Sequence, residues 1–247
     1  MKKVMILMAF VMMVINTQAQ ENVVKLGIGG VWYGGINLEY ERVLTDKTSL
    51  LAEFGFTTPK DFSESRLDSW SNRFGIQDAE SSIDLTTAKL NSFYLAAEYR
   101  FYVGQEVIKG FYVAPYLKYA NYSASIDGTY DNNNQIDIDS DIEVGLSNVT
   151  IGAGIGYQII INDQITVNWN IIGLGLGINR FKASFTSTDQ SNVFGEWQED
   201  VRKFLADLPF IGDNFDTESN NSTRTIDGSA SYVSLPFRFG LSVGYMF

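Results

Sequence analysis

The sequence predicts an all-β fold: an eight-stranded antiparallel up-and-down transmembrane β-barrel with long, partly helical extracellular loops. Three observations support this prediction. Apolar and non-apolar residues alternate with a period of two, short and long connections alternate along the chain, and glycine is frequent on one strand face. The last segment shows the alternation best. Its apolar face comprises Leu235, Phe237, Phe239, Leu241, Val243, Tyr245 and Phe247, and its other face Pro236, Arg238, Gly240, Ser242 and Gly244.

The first element is a predicted signal peptide at residues 1–19. Two lysines precede an unbroken apolar run from Val4 to Ile15, and small or polar residues follow up to Ala19. The apolar run is shorter than the roughly 20 residues that a spanning helix needs. We therefore expect cleavage after Ala19, export of the protein, and one outer-membrane barrel domain at residues 20–247.

Seven further strands precede the last one. Each has apolar residues at every second position, and they cover residues 24–28, 36–41, 50–56, 93–103, 111–119, 149–159 and 165–178. In the seventh, the apolar positions change parity between Ile171 and Ile172, which predicts a β-bulge.

The connections between these strands are of two kinds. Short turns fall at 45–47, 104–106 and 162–164, and a tight link falls at 33–35. Long segments fall at about 58–89, 127–143 and 181–230. With eight strands, both chain ends and all three short turns lie on one side, which we expect to be periplasmic. The long segments then lie outside the cell.

The period of two alone does not show which face points outward, because a soluble barrel with an apolar lumen alternates in the same way. Two features favour an apolar exterior. Glycines occupy the non-apolar face, where eight strands leave little room, namely Gly27, Gly29, Gly152, Gly154, Gly156, Gly240 and Gly244. Aromatic residues gather on the apolar face near the short turns, as at a membrane interface, namely Tyr40, Phe101, Phe111, Tyr157, Trp169 and Tyr245.

The chain resembles the small eight-stranded outer-membrane barrels of Gram-negative bacteria, OmpA- and OmpX-like in architecture. The last strand is similar to the signal read by the barrel-assembly machinery, through Phe239, Leu241, Val243, Tyr245 and Phe247. Segments 38–42, 110–116 and 208–213 resemble an uncharacterised outer-membrane barrel family. The resemblance implies a location in the outer membrane and contact with its lipid and lipopolysaccharide. It implies no activity.

An outward apolar face leaves charged residues inside the predicted barrel. Four carboxylates and four cations share the lumen, namely Lys25, Glu39, Glu41, Glu53, Glu98, Arg100, Lys118 and Arg238. Because unpaired charges there would be costly, we expect an ion-pair network that fills the barrel. The alternative is a narrow polar path for small solutes or ions. Acid/base or glycosidase chemistry at the carboxylates is less favoured, since a closed lumen offers no substrate cleft.

Composition excludes several functions. The chain has no His and no Cys, which removes Ser-His and Cys-His catalysis, thiolate metal sites and disulfides. Its formal net charge of −11 speaks against nucleic acid as a partner. We therefore expect a non-enzymatic protein without a cofactor or metal. We also expect it to be a monomer. A membrane-embedded lipid enzyme is a second alternative, but no motif supports it.

The long segments carry the excess of acidic residues. Six acids and no base lie between Asp127 and Glu143. The EF-hand order fails there, so a solvated acidic hairpin is favoured over a Ca²⁺ site. A helix is predicted at about 195–208, and a second, short one at 61–73. The apolar face of the first consists of Trp197, Val201, Phe204, Leu205 and Leu208.

Overall fold

A computed structural model describes residues 22–29, 35–61, 89–104, 106, 108–132, 136–187, 216–220, 222 and 224–247. Its strands are β1 (Asn22–Gly27), β2 (Gly35–Thr45), β3 (Thr48–Asp61), β4 (Lys89–Tyr102), β5 (Gly110–Asn132), β6 (Ile136–Ile161), β7 (Ile165–Ser187), β8 (Asp216–Asn220), β9 (Thr225–Ser234) and β10 (Phe237–Met246). The described residues include no helix that is long and apolar enough to cross a membrane.

The strands close into a ring in which every neighbouring pair is antiparallel. Strands β1 to β7 pair in sequence order, β7 pairs with both β9 and β10, and β10 returns to β1. Strands β9 and β10 are thus two parts of the eighth strand, interrupted at Leu235 and at Pro236, which has no backbone N–H to donate. This confirms the predicted fold, a closed eight-stranded barrel of the outer-membrane type.

The apolar face of the barrel points outward, as predicted. On β6, Ile151 is 66% exposed whereas its neighbour Thr150, which points inward, is only 2% exposed. The same contrast runs around the ring, where outward leucine, isoleucine, valine and phenylalanine side chains are exposed and inward polar side chains are buried. A soluble barrel would show the opposite arrangement.

The apolar belt ends at one level on four neighbouring strands. Their last apolar outward residues are aligned cross-strand partners, namely Val233, Ile178, Val149 and Tyr119. Two residues further, these strands carry the polar residues Ser231, Arg180, Ser147 and Asn121, whereas β4 carries Phe93 at that level. From Val149 to Ile159 the belt is about 25 Å high, given about 3.3 Å per residue and a tilt of about 40°, which matches the apolar thickness of outer-membrane barrels.

The strands continue beyond this belt, and here the predicted boundaries are wrong. Strands β5 and β6 stay paired up to Asn132 and Ile136, beyond their predicted ends at 119 and 149. The backbone pairing of segment 127–143 agrees with the favoured acidic hairpin. Strand β7 continues to Ser187, and the eighth strand begins at Thr225 rather than at Leu235. Above the belt the outward residues are polar, so the apolar alternation fades while the backbone pairing continues. Strand β1 ends at Gly27, short of the predicted position 28.

Two predicted details of strands β6 and β7 are confirmed. Residues Asn162 and Asp163 have φ of 52° and 57°, as a two-residue hairpin turn requires, and Gln164 N donates to Ile161 O at 3.3 Å. The register between β6 and β7 shifts where Ile155 pairs with Ile172 and Gly156 pairs with Asn170, so Ile171 is a bulge.

Some predictions lie outside the described residues. These are the signal peptide at 1–19 and the helix at 195–208 with its apolar face. The second short helix lies outside as well, apart from Asp61, which ends β3.

Candidate functional site

The lumen contains the charged residues that the alternation predicts to point inward. Six of them are buried, namely Lys25, Glu39, Glu41, Glu53, Glu98 and Arg100. Lys118 and Arg238 are partly buried. Each lies at a position whose neighbours along the strand face outward, so strand alternation alone places all eight in the same interior.

Glu41 is the centre of the network at the end of the barrel that carries the short turns, called the short-turn end below. Its carboxylate accepts hydrogen bonds from Lys25 Nζ and Ser49 Oγ, from Tyr102 OH at 2.7 Å, and from Arg100 Nη1 at 3.2 Å. Four donors on three other strands thus converge on one fully buried carboxylate. Such saturation is what a buried charge requires.

Arg100 extends the network to the other strands. Its Nε donates to Glu98 Oε2 at 2.9 Å, and its Nη1 lies 3.2 Å from Gln158 Oε1 and 3.4 Å from Asn168 Oδ1. Gln158 also accepts from Lys25 Nζ at 2.7 Å. Sequence reasoning missed these two amides, although both lie at inward positions of β6 and β7.

A second layer lies further from the short turns. Arg238 Nη2 donates to Glu53 Oε2 at 2.9 Å, and its Nη1 lies 2.7 Å from Glu98 Oε1, which links the two layers. Glu53 Oε1 also accepts from Asn37 Nδ2 and Tyr94 OH, each at 2.8 Å. The carboxylate of Glu53 is therefore fully engaged.

Two of the eight charged residues have no ion-pair partner within 4.0 Å among the described residues, Glu39 and Lys118. Glu39 Oε2 accepts a hydrogen bond from Ser242 Oγ at 3.0 Å. Lys118 Nζ lies 4.3 Å from the centroid of the Tyr94 ring. Glu39 is thus stabilised by a hydrogen bond, whereas Lys118 has a cation–π contact, which is weaker than an ion pair.

The short-turn end of the lumen is closed by apolar side chains. Ile108, from the link between β4 and β5, packs with Val23 and Met246, and all three are buried. Ile108 has a φ of 64°, which is rare for a β-branched residue and costs about 1–3 kcal/mol. Sequence reasoning missed this contact because a single apolar residue in a turn has no periodicity.

Toward the other end, called the loop end, the lumen opens into a cavity of about 240 Å³. Its lining includes Lys118, Arg238, Tyr122, Asn148, Asn179 and Ser234. The exposed fraction of the inward tyrosines of β5 increases toward this end, from 1% at Tyr112 to 41% at Tyr122. In the described part of the chain, the lumen is thus filled near the short turns and open near the loop end.

A second cavity, of about 830 Å³, lies on the outer face of the sheet above the apolar belt. One row of cross-strand partners lines it from β8 to β4, namely Glu218, Asp227, Ser184, Glu143, Ser125 and Lys89. Lys182 and Asp216 add charge to the neighbouring row. This outer groove is polar and charged, unlike the belt below it.

The model of the DUF3575 family, described as a protein of unknown function, matches residues 4–200. The chain belongs to this family. A search of curated proteins finds no significant match for this DUF3575 chain.

Three solved structures are similar in shape to the DUF3575 barrel. They are Ail, the attachment invasion locus protein of Yersinia pestis (10% identity, 93% of this chain and 100% of that one, TM-score 0.40), a major outer membrane protein from Thermus thermophilus (12%, 93% and 100%, 0.38), and the translocator domain of the autotransporter NalP from Neisseria meningitidis (12%, 100% and 96%, 0.37). Because all three TM-scores are below 0.5, the likeness carries no argument about function.

The residues of the predicted assembly signal lie on β10 and just beyond it. Phe239, Leu241, Val243 and Tyr245 face outward and are exposed. Phe247 exchanges two backbone hydrogen bonds with Asn22, at 2.9 and 3.1 Å. In the DUF3575 barrel this segment therefore supplies both lipid-facing apolar surface and ring closure.

Metal binding has no candidate among the described residues, which include no cluster of three or more acidic side chains suited to an ion. Of the acidic hairpin, the side chains of residues 126–140 lie outside the described part of the DUF3575 chain. The preference for a solvated acidic hairpin over a Ca²⁺ site therefore stays a prediction.

Proposed function

We propose that this protein is a non-enzymatic integral barrel of the outer membrane that presents an extended polar sheet outside the cell for interaction with other molecules. The observation that carries the proposal is the sharp change on the outer face, from an apolar belt about 25 Å high to charged rows lining a groove of about 830 Å³. Apolar exterior surface is stable in lipid, whereas the charged rows require water.

The proposal places the sheet above the belt outside the cell and the short turns in the periplasm. Because the chain has no cysteine, a single engineered cysteine is the only thiol available for labelling. Glu218→Cys, in exposed β8, should react with a membrane-impermeant maleimide on intact cells. Asp46→Cys, in an exposed short turn, is the matched control and should react only after the outer membrane is permeabilised. The reverse pattern would refute the orientation.

The lumen of the proposed barrel does not conduct. The buried network around Glu41 and the apolar contact of Ile108 with Val23 and Met246 fill the short-turn end. Purified protein in planar bilayers should therefore give no discrete conductance steps. Steps that change when Lys118 or Arg238 is neutralised would instead support the alternative of a narrow pore for small solutes or ions.

The surroundings of this barrel follow from its exterior. We propose that the belt contacts outer-membrane lipid and that the charged rows lie beside lipopolysaccharide, whose divalent-bridged headgroups complement acidic side chains. We also propose that the barrel is a monomer and that the barrel-assembly machinery inserts it through β10. Cells depleted of that machinery should accumulate the unfolded chain; normal insertion would contradict this proposal.

A further inference from the structure

We propose that the 240 Å³ cavity at the loop end of the lumen binds a small organic anion, with Lys118 as its charge partner. This site is separate from the outer groove and adds a ligand to the surface role proposed above. Three features support this assignment: Lys118 has no ion pair among the described residues, the cavity has the volume of a small organic molecule, and polar side chains line it.

Among the described residues, Lys118 is the one cation of the lumen without an ion pair. The other three cations each have a carboxylate within 4.0 Å: Lys25 pairs with Glu41, Arg100 with Glu41 and Glu98, and Arg238 with Glu53 and Glu98. Lys118 lies over the face of the Tyr94 ring and is attracted by the more distant carboxylate of Glu53, but it has no ion pair among the described residues. A partly buried ammonium group gains more from an anion than from a ring.

The carboxylates of the lumen accept their hydrogen bonds from groups other than Lys118. Glu53 accepts from Arg238, Asn37 and Tyr94, and Glu41 is saturated by four donors. Glu39 accepts from Ser242 on β10. Although Glu53 attracts Lys118 at longer range, the N–H groups of Lys118 are free to donate to an anion in the cavity.

The wall of the cavity near Lys118 is a preorganised chain of polar groups. Asn148 Nδ2 donates to Asn179 Oδ1 at 2.7 Å, and Asn179 Nδ2 donates to Ser234 Oγ at 2.8 Å. Thr150 Oγ1 donates to Asn148 Oδ1 at 2.5 Å. These bonds hold the side chains in place, so a ligand finds a wall that is already ordered.

Other parts of the lining are apolar, which indicates an organic anion rather than an inorganic one. Leu146 and Pro236 line the cavity together with the charged residues. Its volume of about 240 Å³ lies just below the roughly 300 Å³ of the smallest drug-sized pockets. A carboxylate on a short aromatic or aliphatic body fits both features. Two cations in the lining, Lys118 and Arg238, disfavour cationic ligands.

The site binds its ligand but does not lead into a channel through the barrel. Tyr116 and Arg238 lie at the base of the cavity, and the buried network around Glu41 lies between them and the short turns. A ligand therefore enters and leaves at the loop end, where Tyr122 is exposed.

The test is calorimetric titration of the complete detergent-folded protein with benzoate. Benzoate should bind with a measurable Kd, whereas benzyl alcohol and benzylammonium, of similar shape but different charge, should bind at least tenfold more weakly. This comparison uses the unmodified protein, so it does not depend on the folding of a variant. Failure of benzoate to bind, or equal binding of all three compounds, would overturn the proposal.

Variants then locate the site. Lys118→Gln should weaken benzoate binding at least tenfold, and Lys118→Arg should retain most of it. Lys47→Gln makes the same charge change in the exposed turn between β2 and β3, away from both cavities, and should leave the Kd unchanged. Equal affinity in Lys118→Gln and the unmodified protein would show that benzoate binds elsewhere. The cysteine-labelling pattern and the bilayer recordings do not depend on Lys118, so the proposed surface role is tested independently.

Discussion

At the scale of single residues, the lumen shows how strongly a buried charge depends on its partners. Glu41 is fully buried and receives four donors from three other strands, whereas Glu106, in an exposed turn, has Lys109 at 2.8 Å as its one partner among the described residues. The two glutamates are thus expected to contribute very differently to the stability of the barrel. Water screens the exposed pair, but nothing replaces the donors around Glu41.

Glu41→Gln should lower the free energy of unfolding by about 3–5 kcal/mol, because Lys25 and Arg100 lose their shared counter-charge. Urea unfolding in lipid vesicles measures the change. Glu106→Gln, the matched control, should have little effect. The double change Lys25→Met with Glu41→Leu should recover much of the loss. If Glu41→Gln were as stable as the unmodified protein, the charges of Lys25 and Arg100 would not depend on Glu41.

Lys118→Met should leave the unfolding free energy unchanged or raise it, in contrast to Glu41→Gln. Lys118 has no ion pair among the described residues, so its replacement removes a partly buried charge and leaves no carboxylate unpaired. The same vesicle unfolding experiment compares the two variants. A loss of several kcal/mol at Lys118 would mean that this residue holds a structural partner.

At the scale of elements, the strands fit together because glycines on one strand make room for aromatic side chains on the next. A Cβ placed on Gly156 of β6 would lie 2.2 Å from Tyr112 OH and 2.7 Å from the backbone oxygen of Trp169. The inward face of β6 is therefore glycine-rich because β5 contributes tyrosines that lie across the lumen. The sequence predicted tight packing here but not which side chains fill the space.

Gly156→Ala should reduce the yield of folded barrel, because one of its clashes is with backbone and cannot be relieved by a rotamer change. The readout is the fraction of protein that migrates faster before boiling than after it. Gly145→Ala is the matched control on the same strand, since a Cβ there has no neighbour within 4 Å. Equal folded yields for the two variants would contradict this packing.

At the scale of the whole molecule, strand alternation predicted the barrel, its outward apolar face and the eight inward charges, because a period of two assigns each residue to a face. It did not predict the length of the β5–β6 hairpin, since Ser123 and Ser125 face outward into water and break the apolar pattern. It also missed the partners Gln158 and Asn168, because pairing across the lumen depends on the barrel's stagger and not on one strand.

Ile155→Arg tests whether the apolar belt of the barrel faces lipid. This outward position lies within the apolar belt between Val149 and Ile159, so the variant should lose about 2–4 kcal/mol of stability in lipid vesicles. Ser147→Arg, on the same strand above the belt, should cost much less, about 0–1 kcal/mol. If both variants were equally stable, the belt would not face lipid.

The closure of the ring has a consequence for how the chain folds. Backbone hydrogen bonds between Asn22 and Phe247 help to close the ring, and these are the two described residues that lie furthest apart in sequence. Contacts of such long sequence separation form slowly, since the entropy of closing the loop is lost before any pairing repays it. Until that moment β1 and β10 are open edges, able to pair with other chains. During synthesis and transport, the chain must therefore be held unfolded until both edges can meet.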